Sequence, residues 1–450
     1  MPRKMGGMQH WGGWVVVIAT WLATFAVTAR PAAAQRTIVE ADASASLGYT
    51  QFSQKQIVSD PNAEPEDIPD ETTTQLFTQL RPGLALQTGT PRVSWRAGYL
   101  FGANFSLRSD GLRSYSHEAN AQMAAELSKV TTLTIAGTVA QGASSFLLAQ
   151  KSADKGVPEI RRTGNPDLIS ASILQSLGWA AGKHLTLRQG LSGSVSGPQD
   201  DFGERNAAWT LTLGLDRAFE RDTFGAEVRA SVSWLRALRT DEHLYHSVTN
   251  AIAGRWNHDF SVGWNGLVTA GVEQVYTDTG SEPLAFTPAG SATVRYAAYN
   301  AIGAVSFSHG TATNLQVGSI SLTDQVTVSG IFTLDPRVSR ALSFSAGFLH
   351  NEPLGESDER IAAGTGNAVQ ADAGFTTAIS RNIIASARYS LSYQFDQFRL
   401  NPALAHIFFL GVTGIYRNTE KPTRALPARG QRVDGADGEG FPSVSDRPSL

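Results

Sequence analysis

Residues 92–107 alternate with a period of two. Val93, Trp95, Ala97, Tyr99, Phe101, Ala103, Phe105 and Leu107 fall on one parity, while Arg92, Ser94, Arg96, Gly98, Gly102, Asn104 and Ser106 fall on the other. Successive side chains of a strand point to opposite faces, so the segment predicts a strand with one apolar and one mostly wet face. Strands of soluble sheets typically run about five or six residues, whereas a strand crossing a bilayer at a tilt needs roughly ten. The length of the alternation therefore predicts a strand that spans a membrane.

The pattern recurs along the chain. It predicts further strands over 38–51, 74–87, 117–128, 131–141, 168–179, 184–196, 206–217, 223–235, 248–257, 260–275, 289–297, 300–309, 323–334, 340–350, 368–379, 382–395 and 403–416. That makes about eighteen; the least regular are 289–297, 300–309 and 323–334, which leaves sixteen as the alternative. Short connections fall near 89–91, 129–130, 181–183, 220–222, 257–259, 298–300, 335–337 and 380–382. Longer polar ones fall near 55–72, 109–116, 142–166, 197–205, 238–247, 277–287, 310–322, 351–366 and 397–402. Short turns on one side and long loops on the other are the layout of an outer-membrane barrel, and an even strand count returns both termini to the periplasmic side. The fold class expected is all-β, a transmembrane antiparallel β-barrel.

Composition agrees with that reading and removes others. There is no cysteine, which excludes thiolate metal sites, disulfide frameworks and cysteine nucleophiles. Residues 1–34 carry Arg3 and Lys4, an apolar run over 14–27 and Ala32-Ala33-Ala34 before Gln35, the three-part layout of a secretory signal with cleavage expected after Ala34. The apolar run is shorter than the roughly 20 residues of a spanning helix. Cleavage would take away Arg3, Lys4 and Arg30 and no acid, moving the formal balance from −3 to −6. Nothing in that balance calls for a nucleic-acid partner. The domain layout expected is a signal peptide over 1–34, the barrel over 35–416 and a disordered periplasmic tail over 417–450, rich in Pro, Gly, Arg and Asp.

Tryptophan placement is an independent check on the register. Trp95, Trp179, Trp256 and Trp264 lie within a few residues of the short turns, and Trp209 and Trp234 lie beside long loops. Two interfacial girdles would be written in this way.

The wet parity carries the candidate chemistry. Arg81, Arg96, Arg188, Arg229 and Arg388 fall near mid-strand opposite the lipid-facing residues, with Arg255 and Arg295 lower. Glu126, Asp216, Glu227, Glu273 and Asp372 share their face. One reading is a basic track that guides anionic or polyhydroxylated cargo through a lumen, because guanidinium presents planar donors to carboxylates and hydroxyls. The other is a network of cross-strand ion pairs that holds the wall round. The histidines, His117, His184, His258, His309, His350 and His406 on or beside strands and His243 and His246 in a loop, read as lumen or interface side chains. None makes a pairing suited to acyl hydrolysis. No enzyme, metal or cofactor is expected. The acidic connection over 55–72 lacks the ligand spacing of a calcium loop.

The last strand, His-Ile-Phe-Phe-Leu-Gly-Val-Thr-Gly-Ile-Tyr over 406–416, resembles the closing strand of Gram-negative outer-membrane β-barrel proteins, with Gly411, Ile415 and Tyr416 carrying the match. The resemblance implies recognition by the barrel insertion machinery and contact with outer-membrane lipids and lipopolysaccharide. This chain departs from the group by continuing past the terminal aromatic. Leu80-Arg81-Pro82-Gly83-Leu84, followed by the strand around Trp95 to Tyr99, also resembles a segment of barrels in polysaccharide-export systems. That second likeness implies periplasmic export partners.

About eighteen strands enclose a lumen wide enough for an aqueous passage unless something fills it. Alternation begins within a few residues of the expected mature start, leaving no length for a plug domain or a passenger, so a gated siderophore-type transporter and a self-secreting barrel are not expected. The connections over 55–72 and 142–166 are the longest and are candidates to fold inward. The function expected is a passage for hydrophilic solute, favoured as an export conduit for surface polysaccharide; a general diffusion porin and a non-conducting structural or adhesion barrel are the alternatives.

Overall fold

The computed structural model describes residues 36–55, 70–107, 113–143, 167–198, 205–236, 244–278, 284–315, 318–335, 339–354, 366–395 and 403–418. The expected signal segment, nearly all of the expected tail, and the greater part of the connections over 55–72 and 142–166 lie outside them.

The described residues form eighteen strands: β1 (Arg36–Lys55), β2 (Asp70–Gly89), β3 (Val93–Ser106), β4 (Arg113–Ser128), β5 (Thr131–Ala143), β6 (Asp167–Ala180), β7 (Leu185–Pro198), β8 (Asn206–Ala218), β9 (Asp222–Arg236), β10 (Leu244–Ser261), β11 (Trp264–Thr277), β12 (Leu284–Ala297), β13 (Ala301–Asn314), β14 (Ser319–Asp335), β15 (Arg340–Pro353), β16 (Gly366–Ser380), β17 (Ile383–Phe395) and β18 (Ala403–Arg417). Each pairs antiparallel with its neighbours in the chain, and β1 also pairs with β18, so the sheet closes and has no free edge. The three least regular segments are all strands, which settles the count at eighteen rather than sixteen. At about 4.8 Å between strands and a tilt near 40°, eighteen strands give a backbone cylinder roughly 35 Å across.

Turn chemistry explains which end is which. The connections after β2, β4, β6, β8, β10, β12, β14 and β16 are short, and register shifts of the bulge type sit beside four of them, at Glu126/Ser128, Asp259/Ser261, Thr333/Asp335 and Ala378/Ser380. Arg36 pairs with Gly89 and Glu40 with Arg417, which places both ends of the barrel at the short-turn rim.

Alternation then sorts the side chains. On β8 the exposed Leu211, Leu213 and Leu215 face outward, and Thr210, Thr212 and Asp216 face the lumen. Val228, Ile252, Val272, Val294, Val305, Phe307, Phe348, Leu410 and Val412 lie on the same outer surface and are likewise exposed. So large a continuous apolar surface is untenable in water, and a closed barrel is the sheet structure that satisfies its backbone in lipid. The barrel spans a membrane.

All six predicted girdle tryptophans project from the outer face. Trp95, Trp179, Trp256 and Trp264 are near the short-turn rim, and Trp209 and Trp234 are near the other. The strand histidines also face outward rather than into the lumen. His117, His309, His350 and His406 sit toward the long-loop rim with Nδ1 held by Tyr99 Oη (2.6 Å), Asp324 (2.7 Å), Asn367 (2.7 Å) and Tyr389 Oη (2.8 Å). His258 occupies the opposite rim, 2.7 Å from Asp222, which also accepts from the Trp256 indole at 2.8 Å.

Candidate functional site

The inward face is a wall of hydroxyls and amides with a few charges. Across β1 to β4 one rung is continuous: Ser46 donates to Gln79 (3.4 Å), Gln79 to Asn104 (3.2 Å) and Asn104 to Ser114 (3.2 Å). Elsewhere hydroxyls pair across strands, Thr138 with Ser172, Thr210 with Ser231, Thr269 with Ser291 and Thr293 with Ser306.

All eight predicted lumen residues lie on this inward parity, but they do not act as one set. Arg188 on β7 is 2.6 Å from Asp216 and 4.0 Å from Glu227. Arg229 on β9 pairs with Glu273 on β11, and Arg388 on β17 is 3.6 Å from Asp372. These are cross-strand ion pairs of the wall. Arg81 lies opposite Ser44, and Glu126 is exposed at the short-turn rim. Arg96 stands between Gln87 and Gln122 and meets no acid among the described residues. Among the described residues, the basic and acidic members of the inward face are interleaved.

Two inward aromatics escaped the sequence reading. The Phe77 ring lies across Gly48, where any Cβ would collide with it, and the Phe409 ring meets it edge-on at 5.7 Å and 83°. The available signal was an apolar residue on the wet parity of β2 and β18.

The feature that shapes the lumen is the β13–β14 hairpin. The connection expected over 310–322 is instead mostly strand, with Asn314 paired to Ser319. Its small residues, Gly310 to Asn314, carry no outward apolar pattern because this part of the hairpin leaves the wall. Pairing of β12 with β13 stops at Gly290 and His309, two residues short of Pro288, which has no N–H to contribute to a ladder. Glu273 of β11 takes over: its Oε2 accepts from the Thr311 N–H at 2.7 Å and from the Thr311 hydroxyl at 2.6 Å. That carboxylate is 1% exposed, and Arg229 balances its charge.

Beyond this anchor the hairpin crosses the inside of β10, β11 and β12 to reach β8 and β9. Asn206 Nδ2 donates to the Leu315 carbonyl at 2.8 Å, while Asn206 Oδ1 accepts from the Arg236 N–H at 2.6 Å. Leu235, 0% exposed, and Ile320, 2% exposed, meet there with Leu315 and Leu354 against them. Gly318 at the tip has φ +66° and lies so close to the Arg236 carbonyl that a Cβ has no room. Ser233, Ser247, Val275 and Thr287 on β9 to β12 are buried as well, as a wall under a second layer of chain should be. The hairpin therefore narrows the lumen on one side.

No family model and no curated protein matches this chain. Among solved structures it is similar to the outer membrane protein OpdK of Pseudomonas aeruginosa (9% identity, 84% of this chain and 98% of that one, TM-score 0.38) and to OccK2 (OpdF) of the same organism (11% identity, 83% and 98%, TM-score 0.40). A third is the ferric-catecholate import receptor Fiu of E. coli K12 (9% identity, 84% and 81%, TM-score 0.41).

Proposed function

We propose that the chain is an outer-membrane passage for hydrophilic solute, narrowed by the β13–β14 hairpin. The observation that carries this is the division of most strands into an exposed apolar outer face and an inner face rich in hydroxyl, amide and charged groups around a closed cylinder. The cargo that such a wall fits is uncharged and rich in hydroxyls, because Ser, Thr, Asn and Gln exchange hydrogen bonds with it without a net field. Export of a surface polysaccharide is the specific form of this reading suggested by the segment around Arg81; general diffusion of small sugars is the other.

Reconstitution tests both. Liposomes carrying the purified barrel should swell in isotonic mono- and disaccharide, and planar bilayers should show stepwise conductance; sealed liposomes and silent bilayers would end the passage reading. Loss of cell-surface polysaccharide on deleting the gene, restored by the wild-type chain, favours the export form. Unchanged polysaccharide with sugar-permeable liposomes favours diffusion.

A further inference from the structure

We propose that the outer surface at the turn between β8 and β9 binds the phosphoethanolamine headgroup of a glycerophospholipid in the leaflet on the short-turn side. The site lies outside the lumen, so it stands apart from the passage reading. A cavity of about 620 Å³ is found there, lined in part by Arg217, Phe219, Glu220, Arg221, Asp222 and His258. That volume falls within the roughly 300–1,000 Å³ of small-molecule sites.

The girdle sets its height along the barrel. Arg217 pairs in register with Phe224, Phe224 with Trp256, and Asp222 with His258. These outward side chains stand at the end of the apolar band formed by Leu213, Leu215, Val228 and Ile252. Girdle aromatics sit at the level of lipid headgroups, so a cavity beside Trp256 meets headgroups.

The charges of the lining are divided in a way that fits a zwitterion. Asp222 is engaged by the wall, accepting from the Trp256 indole at 2.8 Å and lying 2.7 Å from His258 Nδ1. The side chains of Arg217, Arg221 and Glu220 make no hydrogen bond or ion pair among the described residues. The Arg217 guanidinium carbon lies 5.4 Å from the centroid of the Phe219 ring. Stacking holds a guanidinium by its face and leaves its N–H edge for an anion. Two such cations suit a phosphodiester, and Glu220 suits the ammonium that accompanies it. Phe219 and Phe224, with ring centroids 5.9 Å apart, and the exposed Trp256 supply an apolar shelf for the acyl chains.

Native mass spectrometry of the full chain, released from detergent after titration with phosphatidylethanolamine or phosphatidylglycerol, tests the site. The wild-type barrel should retain phosphatidylethanolamine in preference to phosphatidylglycerol. Arg217→Gln with Arg221→Gln should weaken retention of both lipids by roughly tenfold or more, the size expected from losing charge-assisted hydrogen bonds. Arg92→Gln with Arg381→Gln, which removes exposed cations from other short turns, should leave retention unchanged. Glu220→Gln should abolish the preference and keep the binding. Heat-modifiable mobility on gels checks that each variant is a folded barrel. Equal losses in the two arginine pairs would reduce the site to general surface charge and overturn it, and so would equal retention of the two lipids by the wild type. Displacement of the lipid by excess inorganic phosphate would make this a free-anion site and overturn the lipid. None of these readouts depends on conduction, so silent bilayers would leave the proposal standing.

Discussion

Glu273 Oε2 lies 2.7 Å from the Thr311 nitrogen and 2.6 Å from its hydroxyl, so one carboxylate oxygen on β11 substitutes for the strand that β13 has left. Pro288 ends the neighbouring ladder, Thr311 needs an acceptor, and the buried Glu273, with Arg229 beside it, supplies one. A wall ion pair and a lumen constriction thereby share a residue.

Glu273→Ala should loosen the hairpin and spare the barrel. Losing a charged acceptor for two part-buried donors costs about 1.5–3 kcal/mol for each bond, and the loss is local. Hydrogen exchange should show the Thr311 amide losing protection by two or more orders of magnitude, while the β1–β2 and β17–β18 amides keep theirs. Equal loss across all strands would instead mean that Glu273 holds the whole wall.

Strand number, parity and the orientation of the rims were legible in the sequence because a period of two with a lipid-facing apolar set can be satisfied in only one register. The limits expected for the strands at 289–297 and 300–309 coincide closely with the extent of β12–β13 pairing. What was not legible begins where that logic stops. Inside the lumen both faces of the hairpin are interior, so Gly310 to Asn314 lacks the alternation that marks a strand on the wall. The arginines illustrate a second limit: parity placed Arg188, Arg229 and Arg388 on one face, but only the staggered register shows each beside an acid. Phe77 and Phe409 break the parity rule, and nothing local says that Gly48 makes room for them.

The register on the outer face can be tested with one pair of neighbours. Leu213 is exposed on the lipid side of β8, and Thr212 faces the lumen. Leu213→Arg should reduce folded, heat-modifiable protein, at a cost of about 2–4 kcal/mol if the residue is near the midplane. Thr212→Arg should assemble at wild-type yield. Reversed yields would place the barrel inside out.

The two kinds of lumen arginine should behave differently. Arg188→Gln strands Asp216 without its closest cation and should lower stability by about 1–3 kcal/mol with little change in ion selectivity. Arg96→Gln removes a cation that meets no acid among the described residues, so it should shift reversal potential toward cations in a salt gradient and leave the melting temperature within a degree or two. If both variants alter stability alone, the lumen charges are scaffolding and take no part in selecting solute.

The long-loop rim carries a pH dependence of known sign. Asp278 follows β11 and is bonded twice to His246, accepting from its backbone N–H at 2.7 Å and lying 2.8 Å from its Nδ1. Partial burial raises the Asp278 pKa, but the two bonds and the attraction of the imidazole outweigh it and hold the carboxyl below its ordinary range. A carboxyl with a lowered pKa when folded adds stability that is complete above its unfolded value, near 3.9, and is lost as pH falls through the lower folded value. The His246 amide should therefore stay protected from exchange, relative to amides deeper in β10, from neutral pH down to about 4 and lose that protection below it. Asp278→Ala should remove the protection at every pH. A ratio of exchange rates that is flat across this range, or unchanged in the alanine variant, would show that the rim is held by its backbone ladder alone.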